Sequence, residues 1–205
     1  MPSPSNLSDL PSLTSGELLD LARLQAHARS LAHDCRVVAK PAGWRGSVVH
    51  LRRLDQQARL LAAVYREIAD DVHRGEPVSP SGEWLLDNFH LITNEVLSIR
   101  TDLPRRYYRQ LPRVAPLGPA SQTRVETLAA AIVAHSDGRL DPDRLQGFVR
   151  AFQSVSPLTM GELWAWPSVL KLTLVGYVAG LAERIRRVRE DWARADLCIA
   201  EFNTN

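Results

Sequence analysis

Cysteine, lysine and aromatic residues are scarce in this chain of 205 residues. The two cysteines, Cys35 and Cys198, match no metal-ligand or redox spacing, which favours two buried thiols in a reducing compartment. Lysine occurs only as Lys40 and Lys171, so arginine carries almost all of the positive charge. Because 25 basic residues face 23 acidic ones, the net charge is only +2, and we expect no nucleic-acid partner.

Long hydrophobic runs are also missing. The most apolar stretch, 163–182, contains Pro167 and Lys171, and its uninterrupted part from Leu172 to Ala182 has 11 residues. About 20 apolar residues are needed to cross a bilayer, so we expect a buried helix and no membrane span. The N-terminus has no charged start followed by an apolar segment and is not typical of a secretory signal. Together these features predict a cytoplasmic chain.

Signatures of common catalytic sites are absent. The sequence contains no Gly-x-Ser-x-Gly nucleophile turn, no Gly-x-Gly-x-x-Gly fingerprint and no phosphate loop. Asp141-Pro142-Asp143 superficially resembles a metal-binding aspartate pair, but a helix N-cap followed by proline explains the same residues. The residues alone therefore indicate an interaction or scaffold domain without catalytic residues.

Apolar residues recur at helical spacing, and no segment alternates with the period of a strand. Thr14 with Glu17, and Thr159 with Glu162, have the spacing of capping boxes. We predict an all-α fold of six to seven helices in a bundle-like array, with no sheet. The predicted helices cover 15–34 and 47–74, a segment from Pro80 that ends before Pro104, 121–135, a segment that opens at Asp141, and a final one that follows Thr159 and continues past Trp192.

The predicted domain organisation is simple. Residues 1–13 are polar and proline-rich and are expected to form a disordered tail, followed by a helical domain over 14–200 and a C-terminal tail over 201–205. Four prolines within 102–120 mark the point where this domain could divide.

One predicted helix carries the richest set of polar residues. Glu83, Asp87, His90 and Asn94 lie at i, i+4, i+7 and i+11 and therefore share a helix face, and Trp84 and Asn88 adjoin them. The Asp87–His90 pair has the carboxylate-x-x-histidine spacing of helical di-metal sites, which also need a second such pair on a partner helix. We favour no metal, because amphipathic helices ordinarily carry a polar stripe that is exposed or faces an interface. We expect this stripe to be satisfied by neighbouring backbone groups and arginines, and a buried polar network that fixes the register between helices is a further interpretation.

Residues 102–113 combine basic and aromatic side chains in a segment bounded by prolines: Arg105, Arg106, Tyr107, Tyr108, Arg109 and Arg113. A loop of this composition could bind phosphate, lipid headgroups or an acidic partner. The simpler interpretation is a turn whose arginines are solvated. A second set of aromatics, Trp164, Trp166, Tyr177 and Trp192, could stack on sugar, although aromatic residues on helices more often belong to the core.

Three blocks of this sequence resemble the N-terminal region of cyclic β-1,2-glucan synthases, in the order in which that family has them. The blocks are Glu83–His90 with its continuation through Asp102-Leu103-Pro104-Arg105 to Leu111-Pro112, then His135–Asp141 with Phe148–Gln153, and then Leu158–Ala165 with Pro167. Together they cover about 47–187.

The resemblance implies a much larger parent protein. That family consists of inner-membrane enzymes that join a helical N-terminal region to membrane spans, a UDP-glucose-dependent glucosyltransferase and phosphorylase-like domains. UDP-glucose and a divalent metal are expected only in the transferase domain, and no cofactor is expected in this chain. We expect a fragment on the cytosolic side of the inner membrane.

The leading hypothesis is a non-catalytic helical domain of such a synthase, with Glu83, Trp84, Asp87, Asn88, His90 and the segment Arg105–Arg109 as interface. Its partners would be the remaining domains of the parent enzyme or a second copy, and glucan is a further candidate. The alternative is a stand-alone helical module that binds an acidic partner or headgroup through the Arg105–Arg113 loop. A third hypothesis is a di-metal site on Glu83, Asp87 and His90.

Overall fold

A computed structural model describes residues 17–38, 49–115, 122–137 and 140–203. These residues form seven helices and one pair of short strands: α1 Leu21–Asp34, β1 Val37–Val38, α2 Val49–Arg74, α3 Pro80–Asp102, α4 Arg105–Gln110, β2 Arg113–Val114, α5 Arg124–Ala134, α6 Pro142–Gln153 and α7 Met160–Asn203. The all-α prediction is confirmed. The expectation of no sheet is wrong in one detail, because β1 and β2 pair antiparallel with Val38 opposite Arg113.

The helix starts follow from capping residues in the sequence. Ser79 accepts a hydrogen bond from the Gly82 N–H, with Pro80 in the first turn of α3, and Asp141 accepts one from the Arg144 N–H at the start of α6. The interpretation of Asp141-Pro142-Asp143 as a helix start is therefore confirmed. The first helix begins at Leu21 rather than at Ser15, because Asp20 caps it through the Arg23 N–H. Thr14, in the predicted earlier capping box, lies outside the described residues.

The described chain forms two compact units. Unit 1 contains α1, the strand pair and Arg105–Thr173, whereas unit 2 contains α2, α3 and α7 from Leu174 onward. One boundary falls between Pro104 and Arg105, within the proline-rich stretch 102–120. Helix α7 runs to Asn203, three residues into the predicted C-terminal tail, and the predicted N-terminal tail lies outside the described residues.

The core of unit 1 lies where α1 packs on α6 and α5. Phe148 and Phe152 are fully buried there, and each contributes about 1.5–3 kcal/mol by its removal from water. A Cβ atom at Gly147 of α6 would lie 2.9 Å from the Gln25 amide nitrogen and 3.2 Å from Leu21 Cδ1. The absence of a side chain at this position therefore lets α6 approach α1 closely.

Unit 2 is organised around the packing of α2 on α3. Its core comprises fully or almost fully buried aliphatic side chains: Leu54, Leu61, Val64, Ile68, Leu85 and Ile99. The rings of Tyr65 and Phe89 stack at 4.3 Å between centroids. The buried His50 places Nε2 at 3.3 Å from the Leu103 carbonyl oxygen. This packing turns the opposite face of α3 towards solvent.

Candidate functional site

The polar face of α3, defined here as Glu83, Asp87, His90 and Asn94, is exposed along its whole length. Of the interpretations open from the sequence, the structure therefore favours an exposed stripe over a buried polar network. Trp84 adjoins this face and is 52% exposed. Such a face offers carboxylates, an imidazole and an amide side by side for contact with a partner.

Two further side chains complete the surface of α3. Asn88 is half-buried and donates a hydrogen bond of 2.8 Å to the Trp84 carbonyl of its own helix, so this amide is partly used within α3. Leu91 lies one turn beyond Asn88 and is 51% exposed. Trp84 and Leu91, seven residues apart, therefore form an apolar edge beside the polar face.

The di-metal hypothesis finds no support in the described part of the chain. A second Asp-x-x-His pair, Asp70 with His73, lies at the end of α2, and the sequence analysis overlooked it. His73 Nδ1 lies 2.6 Å from the Ala69 carbonyl oxygen, a contact within its own helix. Among the residues the structure describes, no group of three or more His, Cys, Asp or Glu side chains could hold a metal ion.

The proline-rich sequence suggested that the arginine–tyrosine segment is a loop, but the structure shows a helix and a strand there. Residues Arg105–Gln110 form the short helix α4, and Arg113 belongs to β2. Arg105, Arg106 and Arg109 are exposed. Arg113 is buried at 2% exposure, with its guanidinium carbon 4.8 Å from the centre of the Tyr108 ring, so it cannot bind an external ligand with the others.

The two tyrosines of α4 anchor it in unit 1. The Tyr107 hydroxyl donates a hydrogen bond of 2.5 Å to the Gly161 carbonyl at the start of α7. Burial raises the pKa of Tyr107, because the phenolate is poorly solvated there. The Tyr108 hydroxyl donates one of 2.6 Å to Glu126 Oε2. Both side chains are predicted interface residues, and the structure shows both engaged in internal hydrogen bonds.

Glu126 is the centre of a buried hydrogen-bond group. Its Oε2 atom accepts from the Thr123 N–H at 2.8 Å, from the Thr123 hydroxyl at 3.0 Å and from Tyr108. Thr123 and Glu126 form a capping box at the start of α5. The sequence analysis did not find these residues, although Thr-x-x-Glu is the same signal that identifies the helix start at Thr159.

Arg124 and Glu162 form a buried ion pair in unit 1. Arg124 Nε lies 2.8 Å from Glu162 Oε1, Nη2 lies 2.5 Å from Oε2, and the side chains are 7% and 0% exposed. Arg124 also donates to the Ser156 hydroxyl at 2.9 Å and the Pro157 carbonyl at 3.1 Å. Glu162 in turn caps α7 by accepting from the Thr159 N–H at 2.9 Å, which confirms that capping box. Such full hydrogen bonding is what a buried ion pair requires.

The polar face of α3 and the arginines of α4 belong to different units, although they are close in sequence. Helix α3 is part of unit 2 and α4 is part of unit 1. His90 also precedes the end of α3 by 12 residues, which corresponds to about 18 Å along a helix axis. We therefore treat them as separate candidate surfaces.

A charged cleft of about 390 Å³ lies in unit 2, and no pattern in the sequence predicts it. Its lining combines four acids and three arginines: Glu67, Asp70, Asp71, Glu190, Arg74, Arg186 and Arg189. Asp71 is buried and accepts hydrogen bonds from Arg74, at 2.5 Å, and from Arg189. The opposite charges largely satisfy one another, so the cleft has a structural explanation.

Two expectations about single residue types are corrected. Trp164 and Trp192 are 75% and 72% exposed, so they do not belong to the core. Cys35 is buried, and its burial raises the pKa of the thiol, but Cys198 is exposed; both are free.

Helix α7 meets the length and composition of a membrane span. Within its segment Met160–Trp192, the most apolar stretch of 18 residues has a mean hydropathy of 1.3, and Pro167 and Lys171 do not end the helix. The core helix of a soluble protein passes the same test, and 39% of the apolar window is buried here. One such helix is weak grounds for a span, and the expectation of none stays a prediction.

Comparison with known proteins gives one relative that bears on function. No family model matches the chain. The cyclic β-(1,2)-glucan synthase NdvB of Rhizobium meliloti (strain 1021) is 39% identical over 126 residues, which is 62% of this chain. The match covers only 4% of that synthase. The resemblance seen in the sequence blocks is thus confirmed, and the chain is related to cyclic β-(1,2)-glucan synthase through a segment that is a small part of that enzyme.

Proposed function

We propose that this chain is a non-catalytic helical region of a cyclic β-1,2-glucan synthase, and that it contributes to assembly of the enzyme through exposed helix faces. The observation that carries the proposal is the 39% identity to NdvB over 126 residues. The parent enzyme would transfer glucose from UDP-glucose, with a divalent metal in its transferase domain. The region described here would lie on the cytosolic side of the inner membrane.

The use of the buried acids supports a scaffold role. Glu126 and Glu162 each complete a helix cap, and Glu162 also pairs with Arg124, while Asp71 is held by two arginines. A general acid or base needs a carboxylate within reach of substrate. These three carboxylates are instead occupied by internal donors, which leaves contact with partners to the exposed side chains.

The polar face of α3 is the surface we assign to this contact. It is exposed, it mixes charge with an adjoining tryptophan, and tryptophan is common among the residues that dominate interface energies. Its partner would be another domain of the parent enzyme.

The test is made in the complete gene product whose reading frame contains this chain. We expect the double variant Asp87→Ala with His90→Ala to lower the yield of cyclic glucan while the amount of protein stays unchanged. The matched control replaces Gln56 and Arg59, two exposed residues on α2, with alanine and should leave the yield as it was. An unchanged yield in the α3 variant would remove this surface from the proposal, and cells that make cyclic glucan without the gene would remove the whole proposal.

A second candidate function rests on α4. Its three exposed arginines, Arg105, Arg106 and Arg109, could bind an acidic partner or a lipid headgroup. The purified chain would then bind vesicles that contain an anionic phospholipid at low ionic strength and release them at high salt, because such contacts are screened. Replacement of the three arginines with glutamine should abolish the binding, and no binding by the unmodified chain at low salt would rule this function out.

A further inference from the structure

The C-terminal part of α7 carries an apolar stripe that its own unit leaves partly uncovered. Its members follow one another at alternating spacings of four and three residues: Leu174, Val178, Leu181, Ile185, Val188, Trp192, Ala195 and Ile199. We call this set the heptad stripe. A strict repeat of this kind is typical of helices that pack in a two-stranded coiled coil.

The C-terminal half of the heptad stripe lies outside the face by which α7 packs in unit 2. The members of its N-terminal half are half-buried: Leu174, Val178, Leu181 and Ile185. Val175, Ala179 and Ala182 are buried and form that packed face. In contrast, Val188 is 54% exposed, Trp192 is 72% exposed and Ile199 is 58% exposed. A contiguous run of exposed aliphatic and aromatic side chains marks an interaction surface in a soluble protein.

We propose that the heptad stripe pairs with the same stripe of a second copy of this chain, in an antiparallel two-stranded coiled coil. The charges beside the stripe select this partner and direction. Arg184 and Asp191 occupy equivalent flanking positions one heptad apart, and Arg189 flanks the other side. A parallel pair would place Arg184 against Arg189 of the partner, a second arginine whose guanidinium already pairs with Asp71, and would gain no opposite-charge contact. An antiparallel pair places Arg184 against Asp191 of the partner, which in the single chain pairs with Arg194 at the exposed surface.

Two-fold symmetry makes this contact occur twice, since each copy contributes one Arg184 and one Asp191. The same register places Leu181 opposite Trp192 of the partner and Ile185 opposite Val188 of the partner. The paired segment from Leu174 to Ile199 is about 38 Å long on a helix rise of 1.5 Å per residue. Trp192, which is 72% exposed in the single chain, would become the buried anchor of the dimer.

The first test measures the oligomeric state of the purified 205-residue chain by sedimentation equilibrium. We expect a dimer that Val188→Asp with Trp192→Ala converts to a monomer. The matched control is Leu97→Asp, which replaces a leucine of α3 with 55% exposure and should leave the dimer intact. A monomer at about 100 µM unmodified chain would overturn the proposal, as would loss of the dimer in the control alone.

The second test reads the direction of pairing through charge reversal at Arg184 and Asp191, both of which are exposed. Asp191→Arg also removes the exposed ion pair with Arg194, so circular dichroism is used to verify that each variant is folded. Arg184→Asp or Asp191→Arg alone should weaken the dimer by about 3- to 30-fold, from two disrupted surface pairs. The double variant restores opposite charges and should recover most of the affinity. Single variants without effect, or a double variant weaker than both, would contradict the antiparallel register.

A cross-link gives an independent reading. In a Cys198→Ser background, chains with Arg184→Cys mixed with chains with Asp191→Cys should form a disulfide between copies. An Arg184→Cys chain that cross-links to an Arg189→Cys chain and not to an Asp191→Cys chain would show a parallel pair and overturn the proposal. The inference deepens the proposed interaction role and rests on it, but dimerisation is measured without glucan synthesis, so its failure is distinguishable from a failure of the proposed function.

Discussion

The buried polar groups of unit 1 and the polar face of α3 both contain carboxylates, which are hydrogen-bonded inside the fold in unit 1 and exposed to solvent on α3. The buried groups are Tyr108, Thr123, Arg124, Glu126 and Glu162, and each is hydrogen-bonded within the fold. The carboxylates and imidazole of α3 point to solvent. The comparison shows that a carboxylate on a helix is structural or available for contact according to its neighbours in the fold, which the spacing of residues along one helix does not reveal.

The largest expected loss of stability follows from breaking the buried ion pair between Arg124 and Glu162. Glu162→Gln leaves the Arg124 guanidinium uncompensated at 7% exposure and should lower the free energy of unfolding by about 3–5 kcal/mol. Urea unfolding followed by circular dichroism measures this loss. Arg124→Met combined with Glu162→Leu should recover much of it, because an apolar pair needs no compensation; a cost below about 1 kcal/mol for Glu162→Gln would contradict a structural role for the pair.

Removing the hydroxyl of either tyrosine of α4 is expected to cost less stability than breaking the ion pair. Tyr108→Phe removes a hydrogen bond to a buried carboxylate and should cost about 1.5–3 kcal/mol, while Tyr107→Phe removes one to a carbonyl and should cost about 1 kcal/mol. The same unfolding measurement ranks them. Equal costs would show that the charge of Glu126 adds nothing to the first bond.

We expect the stability of the folded chain to fall in acid because of His27, which lies in α1 of unit 1. Burial, and then the charge of His135, lower the pKa of His27 below its ordinary value of 6.5. Protonation of His27 is therefore less favourable in the folded chain than in the unfolded chain. The stability that the neutral His27 side chain contributes is complete above pH 6.5 and is lost as the pH falls through its lowered pKa. We expect the free energy of unfolding to fall less between pH 7.5 and 5 in His27→Gln than in the unmodified chain. The control is Ser30→Ala, an exposed and uncharged position on the same helix, which should keep the acid sensitivity of the unmodified chain.

The smallest effect on stability is expected on the polar face of α3. Glu83→Gln, Asp87→Asn and His90→Gln each remove an exposed group and should change the free energy of unfolding by less than about 0.5 kcal/mol. The measurement is the same urea titration. If any of these variants lost more than about 1.5 kcal/mol of unfolding free energy, the replaced residue would have a structural role like that of the buried groups of unit 1, which would contradict the difference between the two sets.

Much of the helical framework could be predicted because its signals are local. Ser79-Pro80, Asp141-Pro142 and Thr159-x-x-Glu162 each begin a helix through contacts within one turn, and the structure shows those contacts. The predicted start of the first helix is too early, because Asp20 rather than an upstream threonine provides the cap. The short strand pair could not be predicted, because two residues per strand carry no detectable period and depend on a partner far along the chain.

Single side chains are harder to predict than helices. The spacing of residues places the polar side chains of α3 on one helix face, and the structure shows that this face is exposed. The same reasoning predicts Tyr108 and Arg113 as surface groups, yet both are buried. Tyr108 is buried because α4 contacts α5 and the start of α7, and Arg113 lies in β2, which pairs with β1, with its guanidinium over the Tyr108 ring.

The sequence by itself therefore determined the all-α class, most helix boundaries and the relation to cyclic β-(1,2)-glucan synthase, since these depend on periodicity, caps and blocks of residues in order. Only the tertiary structure decided which polar residues are used internally. Arg124 meets Glu162 across 38 positions and Asp71 meets Arg189 across 118, and no local pattern encodes such pairs. The same holds for the exposure of Trp192, because burial is fixed by what packs against a helix and not by its own sequence.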